Sequence, residues 1–231
     1  MIMLRVLRFL IRILLNLIAR FELHGKENVP LTGGMIIASN HIGILDIIMV
    51  YYGIDRTDLF IPVAEKWEKI GWIRWLGAHL NFLFVDRYNP DLKALRKMIA
   101  LMNEGKCLVI APEGTRSRVG SLIEGKPGVA YLAARSGFPV VPVGITGTED
   151  KTILGNIKRL RKSRITLTGG KQFIIPPLPN KGRDAALQNY TDEIMCRIAA
   201  ELPETYRGVY TRYPRLSELL RLAAEDGGKS S

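Results

Sequence analysis

Short apolar runs alternate along this chain with longer stretches in which apolar residues recur at helical spacing. Runs of roughly four to eight apolar residues are typical of buried strands, and the longer pattern is typical of amphipathic helices. The pattern predicts strands over residues 35–38, 59–64, 81–85, 107–110 and 139–145, a strand pair or an edge strand over 165–175, and helices over 90–103, 129–136 and 184–202. Strands that alternate with helices favour an α/β fold, with a largely parallel sheet flanked by helices.

The N-terminal segment has a different pattern. Its polar residues recur at three- and four-residue steps, which forms one stripe on a helix in an otherwise mostly apolar segment: Arg5, Arg8, Arg12, Asn16 and Arg20. The arginines interrupt the apolar run that a spanning helix needs, and no small-residue cleavage site follows. We predict an amphipathic helix over 1–21 that lies in a membrane interface, then a main domain over 22–202 and a C-terminal helical extension and tail over 203–231. The alternative is that the first helix packs on the protein's own core.

Composition and charge narrow the partners. The 231 residues carry a formal net charge of +11, which favours an anionic partner, and the N-terminal pattern favours a membrane phospholipid surface. No nucleic-acid-binding signature is present in the sequence, so we expect no specific nucleic acid. Cys107 and Cys196 lie far apart and suit a reducing compartment. The histidines and cysteines follow no metal-ligand spacing, so we expect no metal site.

The three tryptophans, Trp67, Trp72 and Trp75, lie close together in the sequence, interleaved with basic residues. Tryptophan favours the headgroup level of a bilayer, which predicts a second membrane contact here. A tryptophan-rich helix buried against the sheet is the alternative.

The stretch Ser39 to Asp46 contains a candidate acid–base pair. It follows a predicted strand and precedes an apolar run that can continue as a helix. With His41 in the loop and Asp46 in the first helical turn, the chain can fold the two together. The carboxylate would then fix the imidazole tautomer and leave the other ring nitrogen free to take a proton. The alternative is a capping Asp and an ordinary loop histidine.

A second polar stretch, Ala111 to Arg118, also follows a predicted strand. Together the two stretches resemble the glycerolipid acyltransferase family, the lysophosphatidic acid acyltransferases and their relatives. Four motifs of that family match in order: Asn40-His41 with Asp46, Phe82 to Arg87, Pro112 to Ser117, and Val140 to Val143.

The resemblance implies an acyltransferase domain in which His41 is the general base and Asp46 orients it. It implies that Arg116, with Arg87 and Lys66, binds the acceptor phosphate, and that Glu113, Gly114 and Thr115 belong to the same substrate-binding stretch. Glu113 would order this loop, and backbone amides near Gly114 would approach the phosphate or the developing oxyanion. The alternative for 113–116 is a tight turn closed by an internal ion pair. No Gly-x-Ser-x-Gly elbow occurs in the sequence, which favours direct transfer over an acyl-enzyme.

The resemblance also implies the substrates. The donor would be an acyl-coenzyme A or acyl carrier protein thioester, a co-substrate, with no other cofactor. The acceptor would be a lysophospholipid, 1-acylglycerol-3-phosphate, which gives phosphatidic acid in phospholipid biosynthesis at the cytoplasmic face of the membrane. Two alternatives stay open: another acceptor, such as glycerol 3-phosphate, a glycolipid or another lysophospholipid, and an inactive peripheral membrane-binding protein.

Overall fold

A computed structural model describes residues 9, 13–86 and 92–227. A seven-stranded sheet, with strand order β1-β7-β6-β2-β5-β3-β4, forms its centre. The strands are β1 Ala19–His24, β2 Met35–Ser39, β3 Leu59–Ala64, β4 Phe82–Val85, β5 Cys107–Ile110, β6 Val140–Thr146 and β7 Ser163–Gly169. All neighbouring strands are parallel except β6 and β7, so β7 and β1 run opposite to the other five. The predicted α/β fold with a largely parallel sheet is confirmed.

Helices cover both faces of the sheet. They are α1, of which residues 13–18 are described, then α2 Asp46–Gly53, α3 Gly71–Leu80, α4 Leu92–Asn103, α5 Gly128–Ser136, α6 Asp150–Lys158, α7 Arg183–Ala200 and α8 Pro214–Gly227. One apolar core contains side chains of α1, α2, α3 and α6, and the other contains side chains of α4, α5, α7 and α8. Successive β2 residues alternate between these cores, because neighbouring side chains of a strand point to opposite faces.

The predicted helix over 1–21 is wrong at its C-terminal end. Helix α1 ends at residue 18, and Ala19–His24 form the edge strand β1, which pairs in parallel with β7. The sequence from Ala19 alternates apolar and polar residues, which is the period of a strand, and Arg20 therefore leaves the helical stripe. Arg5, Arg8 and Arg12 lie outside the described residues.

Two further predictions, one on the last strand and one on membrane-spanning helices, can be compared with the structure. The segment 165–175, predicted as a strand pair or an edge strand, is instead one interior strand, β7, followed by an isolated bridge between Phe173 and Val140. Within the described part of the chain, no helix combines the length and the apolar character needed to cross a bilayer.

A buried arginine ties together the amino ends of three central strands. Arg56 is 1% exposed and donates to the carbonyl oxygens of Pro30 (2.9 Å), Gly33 (2.8 Å) and Gly105 (2.8 Å). Its guanidinium also forms a two-point pair with Asp58, which precedes β3. Pro30 and Gly33 precede β2 and Gly105 precedes β5, so one side chain fixes how these three strands are staggered.

We predict that Arg56→Met lowers the free energy of unfolding by about 3–5 kcal/mol, because the buried carbonyl groups and Asp58 lose their donor. Urea unfolding measures the loss, and Arg96→Met on exposed α4 is the matched control, expected within about 0.5 kcal/mol of wild type. A loss for Arg56→Met as small as that of the control would contradict the proposed role of Arg56 in joining the amino ends of the three strands.

Candidate active site

His41 and Asp46 meet where β2 ends and α2 begins. Asp46 is the first residue of α2, and its Oδ2 lies 2.8 Å from His41 Nδ1. The same oxygen accepts the backbone N–H groups of Ile42 at 2.7 Å and Gly43 at 2.8 Å. The predicted contact is therefore present, and with Nδ1–H donated to Asp46, Nε2 is the nitrogen left to accept a proton. The catalytic roles of the pair stay a prediction.

Asn40 fixes the start of this loop to the neighbouring strand. Its side-chain Nδ2 donates to the carbonyl of Ile145 at 2.8 Å, and its Oδ1 accepts the backbone N–H of Ile145 at 2.7 Å. The side chain thus acts as one more strand residue against β6, next to His41. Sequence analysis matched Asn40 to a motif but gave it no role, because its partner lies 105 residues away.

Glu113 supports His41 from the next strand. It follows β5, and its Oε1 accepts the backbone N–H of His41 at 2.8 Å, while Oε2 accepts that of Ile123 at 3.1 Å. The carbonyl of His41 in turn accepts the backbone N–H of Ser117 at 2.7 Å. Glu113 is 1% exposed, and this burial raises the pKa of its carboxyl from 4.5 to about 7. Its contacts fit the predicted ordering of the loop, with no side-chain oxygen directed at open solvent.

Gly114 allows a lysine to lie against the loop. Its φ is +67°, the left-handed region that glycine adopts without strain, and its N–H donates to the carbonyl of Ala111 at 3.0 Å. This amide closes a turn, and the approach of backbone amides near Gly114 to a phosphate or an oxyanion stays a prediction. A Cβ at Gly114 would lie 2.9 Å from Lys126 Cδ, so the absence of a side chain leaves room for Lys126. No sequence signal marked Lys126 as part of the site.

Arg116 is exposed and forms an ion pair across the structure. Its Nη1 lies 2.9 Å from Asp150 Oδ2, and Asp150 Oδ1 accepts the backbone N–H of Ile44 at 2.9 Å. Asp150, the first residue of α6, thus connects Arg116 to the loop that carries His41. This contradicts the alternative of an ion pair internal to 113–116. Thr115 is exposed beside Arg116, and no sequence signal marked Asp150.

The structure does not bring Lys66 into the site. Lys66 follows β3, is exposed, and places its Nζ 5.6 Å from the centre of the Trp67 ring. It is not among the residues that line the cleft described below. Arg87 lies outside the described residues.

The tryptophan segment is not buried against the sheet. Trp72 and Trp75, both on α3, are 66% and 54% exposed, and Trp67 is exposed as well. The alternative of a buried tryptophan helix is therefore wrong.

An apolar cleft of about 560 Å³ opens at His41 and Asp46. Its wall is mainly aliphatic, with contributions from β3, β4, α4, β5 and α5, and includes Ile61, Val85, Leu95, Met98, Ile110 and Leu132. Lys126 and Asp86 supply the other charged side chains of the lining. A cavity with this composition fits a hydrocarbon chain, with His41 at its polar end. Among the described residues, no group of three or more potential ligands is arranged to hold a metal ion.

Three comparisons with known proteins agree with this geometry. The sequence pattern of the family described as Acyltransferase matches residues 20–146, more than half of the chain. The 1-acyl-sn-glycerol-3-phosphate acyltransferase of Bacillus subtilis is 28% identical over 184 residues, which cover 77% of this chain and 87% of that protein. The protein of the same name from Chlamydomonas reinhardtii is 32% identical over 169 residues, and the match covers 71% of this chain but only 50% of the relative.

A solved structure shares the fold. The crystal structure of the 1-acyl-sn-glycerophosphate acyltransferase PlsC from Thermotoga maritima superposes with a TM-score of 0.64 at 26% identity. The superposition covers 83% of this chain and 76% of that one.

The raised pKa of Glu113 predicts a pH-dependent stability. Between its ordinary value of 4.5 and about 7 the folded protein holds a proton that the unfolded chain has lost. The associated stabilisation is fully present below pH 4.5 and is lost as the pH rises through about 7. Glu113→Gln cannot titrate, so we expect its free-energy difference from wild type to shrink as the pH rises through this window. Urea unfolding across the window measures this.

Exposed Glu124→Gln, which removes one carboxyl at a solvent-facing position of the same loop, is the control. Glu113→Gln should also be less stable than wild type by about 1–3 kcal/mol at low pH, because the amide nitrogen faces a backbone N–H. A pH-independent difference for Glu113→Gln would show that the carboxyl is already ionised throughout.

Proposed function

The chain belongs to the acyltransferase family, and on that premise we propose that it transfers a fatty acyl group from a thioester to the free hydroxyl of 1-acylglycerol-3-phosphate. The product is phosphatidic acid, an intermediate of phospholipid biosynthesis. The observation that carries the proposal is the His41–Asp46 pair at the polar end of an apolar cleft. The cleft can hold the acyl chain. The pair supplies a base for the acceptor hydroxyl, which attacks the thioester carbonyl.

In the proposed reaction one proton is transferred twice, first from the acceptor hydroxyl to His41 and then from His41 to the leaving thiolate. His41 Nε2 takes the proton of the acceptor hydroxyl as the oxygen attacks the thioester carbonyl, which forms a tetrahedral intermediate. The intermediate collapses with cleavage of the carbon–sulfur bond, and the thiolate takes the proton from the imidazolium. Asp46 stabilises that imidazolium, and its hydrogen bonds to Ile42 and Gly43 hold the carboxylate in place. No residue of the chain is acylated in this sequence of steps.

Two cations near His41 are suited to the acceptor phosphate. Arg116 is paired with Asp150, but both side chains are exposed, and such pairs contribute only about 0–1 kcal/mol. A phosphate can therefore take the place of Asp150 at little cost, and a guanidinium binds it through two parallel hydrogen bonds. Lys126 lies against Gly114 on the cleft wall and adds a second positive charge.

The acyl donor and the location belong to the same proposal. We propose a donor of the acyl-coenzyme A or acyl carrier protein type, because the transfer needs a thioester and no other cofactor. The net charge of +11 and the exposed tryptophans of α3 support work at the cytoplasmic face of an anionic membrane.

Product analysis tests the proposal directly. Purified protein is incubated with each donor type and a panel of acceptors: 1-acylglycerol-3-phosphate, glycerol 3-phosphate, a lysophospholipid with an esterified phosphate, and monoacylglycerol. Mass spectrometry is expected to find phosphatidic acid as the main product. A main product from another acceptor would retain the chemistry and replace the substrate, and the absence of any acylated product would overturn the proposal.

We predict that His41→Ala lowers kcat by about 10²–10⁴-fold, because the general base is lost. His24→Ala, at an exposed position at the end of β1, is the matched control and should leave kcat unchanged. Steady-state kinetics of both variants, after circular dichroism has established that they are folded, provide the comparison. Near-normal turnover by folded His41→Ala would remove His41 from the mechanism.

Asp46→Asn separates charge from geometry. In wild type, Oδ2 accepts all three hydrogen bonds, and Oδ1 has no partner among the described residues. An asparagine can keep the same three bonds with its single oxygen, but it loses the negative charge and places its NH2 group at the buried position of Oδ1. We expect a loss of kcat smaller than that of His41→Ala, and a loss of thermal stability from the buried NH2 group, which thermal unfolding measures separately. A loss as large as that of His41→Ala would show that the charge itself is indispensable.

For Arg116→Ala we predict a loss of about ten- to a hundredfold in kcat/KM with 1-acylglycerol-3-phosphate, since charge-assisted hydrogen bonds contribute roughly 1.5–3 kcal/mol each. The loss should be much smaller with monoacylglycerol, which lacks the phosphate. Arg118→Ala, two residues away and also exposed, is the control. Equal losses on both acceptors would assign Arg116 to holding the loop through Asp150, and would leave the phosphate without its proposed ligand.

A further inference from the structure

Helix α6 ends in a turn that presents a leucine to solvent in an unusual backbone conformation. Leu160 has a φ of 52°, in the left-handed region, and is 97% exposed. The N–H groups of Leu160 and Arg161 close the helix end by donating to the carbonyl oxygens of Ile157 (3.0 Å) and Asn156 (2.9 Å). Glycine or asparagine normally occupies such a position. Leucine strains the backbone here, and its side chain gains almost no packing within the described protein.

Four cations surround this leucine: Lys158, Arg159, Arg161 and Lys162, all of them exposed. Among the described residues, no carboxylate forms an ion pair with any of the four. Lys162 donates through Nζ to the carbonyl of Asn16 in α1, so the turn lies beside that helix. An exposed apolar side chain flanked in the sequence by cations without ion pairs matches the layered chemistry of an anionic bilayer, with phosphates outside and hydrocarbon within.

Other exposed apolar side chains lie on the same face of the sheet. Helices α1, α3 and α6 all cover that face, and their exposed large apolar residues are Ile13, Leu14, Leu17, Trp72, Trp75, Leu154 and Ile157. The described helices of the opposite face expose only Leu92 and Leu222 in this class. That face also carries the mixed-charge pairs of Glu193 with Arg197 and Arg215. Exposed apolar side chains therefore lie on the same side of the molecule as the cations of the α6 turn.

We propose that residues 157–162, the α6 turn, dock onto an anionic lipid bilayer, with Leu160 in the acyl region and the four cations at the level of the lipid phosphates. The same helix begins at Asp150, which holds Arg116 and the backbone of Ile44 next to His41. Docking of the turn therefore places one end of α6 in the membrane and the other at the catalytic loop. This surface goes beyond the proposed acyl transfer and needs only lipid, so the two can fail separately.

Leu160→Asn is the sharpest test of the apolar contact, because asparagine tolerates the left-handed region and should preserve or improve the fold. Flotation is measured without donor or acceptor, on vesicles rich in phosphatidylglycerol and on pure phosphatidylcholine vesicles. We expect partitioning to the anionic vesicles to fall roughly tenfold, in line with the loss of one buried leucine side chain. Leu222→Asn on α8 is the matched control and should float like wild type, with urea unfolding as the check on folding.

Lys158→Gln combined with Arg161→Gln tests the charges. Each cation near an anionic surface contributes about fivefold in partitioning, so the double variant should bind phosphatidylglycerol vesicles roughly 25-fold more weakly. Its binding to phosphatidylcholine should be unchanged. Arg96→Gln combined with Lys97→Gln, exposed on α4, changes the net charge equally and is the control.

Three outcomes overturn the proposal. Flotation of Leu160→Asn equal to that of wild type would remove the apolar insertion. Equal losses for the two charge variants would reduce the effect to net charge. Normal flotation of Lys158→Gln/Arg161→Gln, combined with weaker capture of acyl carrier protein, would assign the surface to an acidic protein donor.

Discussion

The active site depends on one oxygen atom, Asp46 Oδ2, which accepts from the imidazole of His41 and from the backbone of Ile42 and Gly43. The two backbone bonds fold the loop tightly enough to bring a residue in a helix back to a side chain five positions earlier. They also hold the carboxylate charge beside Nδ1 without relying on mobile side chains. This arrangement orients the imidazole and favours the tautomer with its proton on Nδ1, and both are needed for the proposed proton transfer at Nε2.

The strands on both sides of β2 hold the loop that carries His41. Asn40 joins the loop to β6, and Glu113, after β5, holds the backbone N–H of His41. Because β5 and β6 flank β2 in the sheet, His41 is held from both neighbouring strands. Arg56 fixes the stagger of β2, β5 and β3, so the position of the loop that carries His41 depends on a buried guanidinium at the amino ends of these strands. The raised pKa of Glu113 follows from the same arrangement, because the carboxyl that accepts the backbone N–H of His41 is buried.

The spacing of apolar residues made the α/β fold predictable, because each strand and helix is a local pattern. The His41–Asp46 contact was predictable because the two residues are close in the sequence. The helix over 1–21 was predicted too long, because the alternation that begins at Ala19 is short and becomes a strand only through pairing with β7. The sequence could not predict the partner of Arg116, because Asp150 belongs to no motif and contacts Arg116 only through the packing of α6. Lys126 was missed for a similar reason: its proximity to Gly114 is a property of the folded loop. Lys66 is the opposite case: the resemblance placed it among the phosphate ligands, but it is not among the residues that line the cleft.

The tautomer of His41 is the most direct test of this account, because every proposed step passes through an unprotonated Nε2. NMR of protein with isotopically labelled histidine ring nitrogens reports which nitrogen of neutral His41 carries the proton, and His24→Ala and His79→Ala remove the other two signals in turn. The account predicts a proton on Nδ1, shared with Asp46, and a free Nε2. A neutral ring with its proton on Nε2 would contradict it, because His41 would then have no basic nitrogen facing the acceptor hydroxyl.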